Sequence, residues 1–254
     1  MLEEPALTSL SAFALLGLGL VFGLKHATEA DHIVAVSTIV SQERSILRSA
    51  RVGALWGVGH TAALILVGIV VLALRVAVPE SVANWLEFCV ALMIIALGLS
   101  ALLRALGRRR RDVHLHQHKH DGVSHVHIHF HEHGTEHTGK VAAHTHAVSR
   151  IGFKPLVVGA MHGLAGSAAL TLLVLTQVDS TALGLLYLGV FGVGSIAGML
   201  LMSGLIGLPF ALSARRFNTA HYGLQTIAGV MSIAFGLWYA YETGISSGLW
   251  RTIL

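Results

Sequence analysis

The sequence predicts an all-α membrane protein: six transmembrane helices arranged as two inverted three-helix repeats, the first helix broken at a polar motif. Three observations lead there. Hydrophobic residues make up 54% of the chain and charged ones 12%, with a mean hydropathy of +0.71, whereas soluble domains are nearer a quarter charged. Six apolar segments are each long enough for a span, which needs roughly 20 residues. The two halves of the chain also share three short matches in the same order and at nearly constant spacing.

The segments run over residues 8–40, 52–74, 83–106, 153–177, 182–212 and 221–243. The first is too long for one straight crossing: its 33 residues would run to about 50 Å against a hydrocarbon core of about 30 Å. A break between Gly23 and Asp31 resolves this, because unwound backbone is tolerated at membrane depth where it lines a cavity. Two separate spans, seven in all, are the alternative. A cleaved signal peptide is not expected, since Glu3 and Glu4 stand where basic residues belong. The 28 glycines suit helices that pack closely in lipid.

Charge in the loops sets the expected orientation. Arg44, Arg48 and Arg51 follow the first segment. Arg104, Arg108 to Arg111, Arg150 and Lys154 flank the long central loop, and Arg215 with Arg216 follows the fifth segment. The alternate loops carry only Arg75 with Glu80, and Asp179. Basic loops are cytoplasmic, so both termini are expected outside, and six spans satisfy this parity where seven do not. The same placement accounts for the pI near 9.6 without nucleic acid as a partner. The chain divides into a first three-helix repeat (1–106), a cytoplasmic loop (107–152) and a second repeat (153–254). The loop holds 12 of the 17 histidines, in runs such as His125-Val126-His127-Ile128-His129. Its low apolar content predicts disorder, and its imidazoles predict metal capture. It has no cysteine and no fixed ligand spacing, so it is not a zinc finger.

The repeat rests on Leu20-Val21-Phe22-Gly23-Leu24-Lys25-His26 against Leu156-Val157-Val158-Gly159-Ala160-Met161-His162. Gly57-Val58-Gly59 matches Gly192-Val193-Gly194, and Met93 to Leu99 matches Met231 to Leu237 at five positions. An odd number of spans per repeat inserts the second half upside down, with the substrate site near the midplane where the halves meet. His26 and His162 are equivalent and are expected to approach each other there. Ser167 and Ser195 stand at the equivalents of Asp31 and His60, and Gln225 at that of Glu87.

The chemistry concentrates in Lys25-His26-Ala27-Thr28-Glu29-Ala30-Asp31-His32, set between apolar runs. Imidazoles and carboxylates at membrane depth are costly and mark an ion or substrate path. Together they suit nickel, cobalt or zinc better than magnesium or calcium. On a regular helix Asp31 lies about 140° and His32 about 240° round from His26, so the three cannot converge unless the helix is distorted. Glu29 lies only about 60° from the His26 face and can join it directly. The plainer alternative is a set of satisfied polar contacts, such as Lys25 with Glu29. His60 and His162, each in the middle of a span, complete the candidate metal set of His26, Glu29, Asp31, His32, His60 and His162. Glu87, near a span end, is expected to be solvated or to support the ligands from behind, not to ligate. The lone Cys89 excludes an internal disulfide and a cysteine metal cluster.

The pattern His26-(four residues)-Asp31-His32 resembles the HxxxxDH signature of the nickel/cobalt transporter family. Gly163-Leu164-Ala165-Gly166-Ser167 resembles that family's urease-accessory-type branch. Where the family commonly has Arg and Asp, this chain has Lys25 and Glu29. The resemblance covers essentially all membrane segments and implies a secondary transporter for Ni²⁺ or Co²⁺, with His26, Asp31 and His32 as signature residues and His60 as their partner. It implies uptake across the inner (cytoplasmic) membrane, no resident cofactor, and metallochaperones of a nickel enzyme as cytosolic partners. No Gly-rich loop ends in Gly-Lys-Ser/Thr, so ATP hydrolysis is not expected. The rival readings are an exporter of the same metals, a non-transporting membrane metal-binding protein, and an intramembrane metallohydrolase; the last lacks both a HExxH motif and a nucleophile.

Overall fold

The structure is a computed structural model that describes residues 4–76, 78–111, 113–120, 123–130, 153–177 and 180–249. Side chains are described for 13–76, 78–107, 153–166, 180–214, 217 and 219–249. Among these residues lie seven α-helices: α1 (Glu4–His26), α2 (Ala30–Val40), α3 (Ile46–Leu74), α4 (Glu80–Arg111), α5 (Lys154–Gln177), α6 (Thr181–Arg216) and α7 (Asn218–Tyr241). A π-helical turn, Glu242–Ser246, closes α7.

Among the described residues, four helices are long and apolar enough to cross a membrane: Ile46–Leu74, Glu80–Gly107, Thr181–Ala214 and Thr219–Ser246. Phe13–His26 and Ala30–Val40, bent by 53°, make a fifth span if taken together. The long first segment is therefore broken, and the break falls on the polar motif. Its backbone is accounted for locally. Thr28 N donates to Lys25 O (2.8 Å) and Glu29 N to His26 O (3.1 Å), which satisfies the last carbonyls of α1. Glu29 is extended (φ −66°, ψ 149°), and α2 restarts with Ile33 N on Glu29 O. The sixth expected span corresponds to α5, 24 residues long, whose side chains are described only as far as Gly166.

Packing is set by close backbone approach. Helix α1 lies on α6, α5 lies on α3, α3 lies along α6 and α4 along α7. A Cβ on Gly23 would meet Phe191 O, and one on Gly194 would meet Leu20 O. The matching contacts recur in the other pair: Gly159 against Trp56 O, and Gly59 against Leu156 O. At these points nothing larger than hydrogen fits, which is how small residues let helices associate where water does not drive them together. The central apolar cluster includes Val36, Trp56, Ile94 and Met199, and a second joins Leu64, Tyr187, Leu188 and Phe191. Large apolar side chains such as Leu66, Val193, Leu205 and Ile227 face outward, as a lipid-facing surface requires.

The short α2 is held differently, by polar side chains. Thr38 and Ser232 share a short hydrogen bond, and Ser232 Oγ also donates to Val34 O (3.3 Å). Gln225 Nε2 donates to Ser41 O (2.7 Å) and contacts His221 Nε2 (2.9 Å). Just beyond, Arg104 of α4 donates to Gln42 Oε1 (2.5 Å).

Part of the central loop lies within the described residues. Two strands, β1 (Val113–His120) and β2 (Val123–Phe130), pair antiparallel. Their register sets His114 opposite His129, His116 opposite His127 and His118 opposite His125. Alternation of His with apolar residues is a period-two pattern, which suits a strand. Residues 131–152 lie outside the described residues.

Candidate metal centre

The break between α1 and α2 brings together what a regular helix would spread apart. The rings of His26 and His32 lie 4.4 Å apart by centroid. From the middle of α3, His60 places Nε2 3.2 Å from His26 Nε2. From α5, His162 lies with its ring 4.0 Å from that of His32 and its Nε2 2.7 Å from Asp31 Oδ2. Two groups have donor atoms all within 4.8 Å of one another: His26, His32 and His60, and Asp31, His32 and His162. His26 and His162 both flank His32, so their expected approach occurs through that ring.

The carboxylates act on the imidazoles. Glu29 Oε2 lies 3.0 Å from His26 Nδ1, and Asp31 Oδ1 lies 3.0 Å from His32 Nδ1. A carboxylate accepts, so each Nδ1 carries the proton and each Nε2 keeps its lone pair. This is the arrangement that carboxylates impose on metal-binding histidines. Asp31 Oδ1 also accepts from the His32 backbone N–H (2.9 Å), which fixes its own rotamer. Glu29 pairs with His26, not with Lys25 as the plainer alternative had it.

Burial leaves several polar atoms without partners. His32, His60 and His162 are buried, and His32 Nε2, His60 Nδ1 and His162 Nδ1 have no hydrogen-bond partner, nor does Trp56 Nε1. Buried polar atoms are normally satisfied, and orphans of this kind ask for an explanation. A cation accounts for the free lone pair of His32 Nε2. The spacing fits as well: two nitrogens each about 2.1 Å from one ion lie about 3.0 Å apart at 90° and about 3.4 Å apart at the tetrahedral angle. The pair His26 Nε2 and His60 Nε2, at 3.2 Å, falls between these. The C-terminal end of α1, with its partial negative charge, also faces this point, while Asp31 and Glu29 offset the positive N-terminal end of α2.

A cavity of about 440 Å³ opens onto the cluster, lined by His26, Glu29, Asp31, His32 and His162. Glu87 lines it too, hydrogen-bonded by Tyr239. Of the two roles expected of Glu87, solvated or supporting the site, this position suits the second: its turn of α4 faces inward. Sequence reasoning also missed Trp56, whose indole stacks at 9° on His32 with centroids 5.8 Å apart, and it missed Tyr239 and His221. An aromatic in an apolar span carries no distinguishing signal. His221, a polar residue within a span, carried one that went unused. Ser195, at the equivalent of His60, is buried with Oγ unpartnered, and the Ser167 side chain lies outside the described residues.

Compared with known proteins, residues 12–240 match the family described as NicO, high-affinity nickel-transport protein. The chain belongs to this family. It is 36% identical over 238 residues to the urease accessory protein UreH of Bacillus sp. (strain TB-90), covering 94% of this chain and 95% of that protein. It is 26% identical over 245 residues to the chloroplast protein FOR GROWTH AND FERTILITY 1 of Arabidopsis thaliana, covering 93% of this chain and 63% of that one. No solved structure matches it. With four to five apolar helices of spanning length, this member of the nickel-transport family is a multi-pass membrane protein and a nickel-related transporter.

Proposed function

We propose that the protein is a permease that carries Ni²⁺ or Co²⁺ into the cytoplasm across the inner membrane. The observation that carries this reading is the cluster of His26, His32 and His60, whose donor nitrogens lie within 4.8 Å of one another while carboxylates hold Nδ1 of His26 and of His32. Imidazole nitrogens suit both ions, and an incomplete donor set leaves room for water during entry and exit. In this reading His26, His32 and His60 ligate the cargo. Asp31 orients His32 and His162, Glu29 orients His26, and His162 braces Asp31 from the second half.

The architecture of the proposal is six spans in two inverted repeats, with α1 and α2 as one broken span and α5 as its counterpart. The reciprocal contacts support it: α1 on α6 mirrors α5 on α3, through equivalent glycines. In the orientation that the basic loops favour, both termini and the cavity face outside and the His-rich loop lies in the cytoplasm. Thr38 with Ser232, and Gln225 with Ser41, then close the cytoplasmic side. The membrane potential alone provides ~4.6 kcal/mol for two charges at 100 mV, roughly three orders of magnitude in accumulation. The similarity to a urease accessory protein extends the reading to cytosolic metallochaperones of a nickel enzyme as recipients.

Proteoliposomes containing the purified protein test this directly. Uptake of ⁶³Ni²⁺ that saturates, grows with an inside-negative potential and is lost in His32→Ala is the expected result. Saturable binding without flux, or flux in His32→Ala equal to wild type, would overturn it.

A further inference from the structure

We infer that Glu87 is a cargo-contacting residue of the approach path, holding the hydrated divalent ion through water before the imidazoles strip it. The inference rests on the transport reading above and adds a specificity-determining carboxylate outside the HxxxxDH motif.

Three observations meet at this side chain. Glu87 lines the cavity that reaches His32, whose Nε2 is buried and unpartnered there. Among the described residues it has no ion pair; the carboxylate pairs are those of Glu29 and Asp31 with histidines. Its bond is to Tyr239, a neutral donor that holds the carboxylate in place and leaves its charge available. Glu87 lies seven residues into α4, about 10 Å along the helix from its start, and lines the same cavity as His26, Asp31 and His32. A half-buried carboxylate without a cation in an apolar wall is expensive to keep, and such residues mark ion paths. A cavity of about 440 Å³ has room for an ion that still carries its water shell.

The equivalent position in the other half makes the same point by contrast. Gln225, at the opposite end of the α4–α7 pair, is neutral and fully engaged with Ser41 O and His221. A carboxylate on the entry side and an amide on the exit side bias where a cation dwells, since only the first attracts it from solution.

Initial rates of ⁶³Ni²⁺ uptake into proteoliposomes, measured against Ni²⁺ concentration at two ionic strengths, test this. For Glu87→Gln, KM is expected to rise about 10-fold (about 1.4 kcal/mol), with Vmax reduced less than 2-fold. The fall of Vmax/KM between 20 and 200 mM salt should also shrink, because the screened charge is gone. Glu87→Asp should recover most of the wild-type KM. Wild-type KM and salt dependence in Glu87→Gln would overturn the inference while leaving the transport reading intact. Equal loss of Vmax in Glu87→Gln and Glu87→Asp, with lowered melting temperatures, would assign the residue to packing and also overturn it. Absence of Ni²⁺ flux in wild type would overturn the transport reading, and this inference with it.

Discussion

Replacing Asp31 by Asn tests whether tautomer control makes the site. In the native cluster both carboxylate oxygens accept from imidazole: Oδ1 from His32 Nδ1 at 3.0 Å and Oδ2 from His162 Nε2 at 2.7 Å. Asparagine has one acceptor and one donor end, so only one imidazole keeps its partner. If the amide NH₂ faces His32, the proton of that ring moves to Nε2, and the lone pair aimed at the cavity becomes an N–H. If it faces His162, His32 is preserved but the brace from α5 is inverted. Loss of such an orienting carboxylate typically costs 10–100-fold in metal affinity, or about 1.4–2.7 kcal/mol. Leaving a buried donor without its acceptor adds a destabilisation of about 1–3 kcal/mol. Calorimetric titration of Ni²⁺ into the detergent-purified variant at pH 7.5 reads the first number, and thermal melts read the second. Wild-type Kd in Asp31→Asn, with both imidazoles present, would refute the orienting role.

Other outcomes follow from the same geometry. His26→Ala, His32→Ala and His60→Ala should each remove saturable flux while Glu29→Asp is tolerated, checked by uptake alongside melts; residual saturable flux in all three alanine variants would sink the ligand set. Deleting His114 to His146 should leave uptake at saturating metal nearly intact and weaken it when metal is scarce, since these residues lie outside the apolar segments of the sequence. Gly59→Leu should lower the melting temperature by separating α3 from α5, where Leu156 O leaves no room for a side chain.

The helical class, the break in the first span and the residues of the cluster were all legible from the chain. Each left a local signature: apolar length, excess length over one crossing, and charge where charge is costly. The angular argument was informative in its failure, since Asp31 and His32 lie off the His26 face of any regular helix, and the 53° bend resolves the conflict. Which nitrogen each histidine offers was not legible. It depends on Glu29 and Asp31 meeting Nδ1 atoms, a matter of rotamers. Whether Glu87 is solvated or supports the site was not legible, because its height on α4 was visible but its azimuth toward α7 was not. Likewise Trp56 meets His32 and His162, neighbours far away in sequence. The strand pairing in the central loop was hidden because composition speaks to burial, whereas alternation speaks to backbone shape.

Helix α2 is short, and its two ends are fastened by different means. Its far end is pinned by Gln225 on Ser41 O and by the Thr38–Ser232 bond, while its near end carries His32 into the cluster. Eleven residues make a lever arm of about 16 Å, so a tilt of about 10° about the pinned end moves the His32 end by about 3 Å. Metal–ligand distances tolerate only about 0.2 Å. His60, by contrast, rides on a helix clamped by backbone contacts on two sides. If the cluster holds an ion as proposed, a small swing of one half-helix against a fixed anvil is enough to open the grip, with the rest of the bundle at rest.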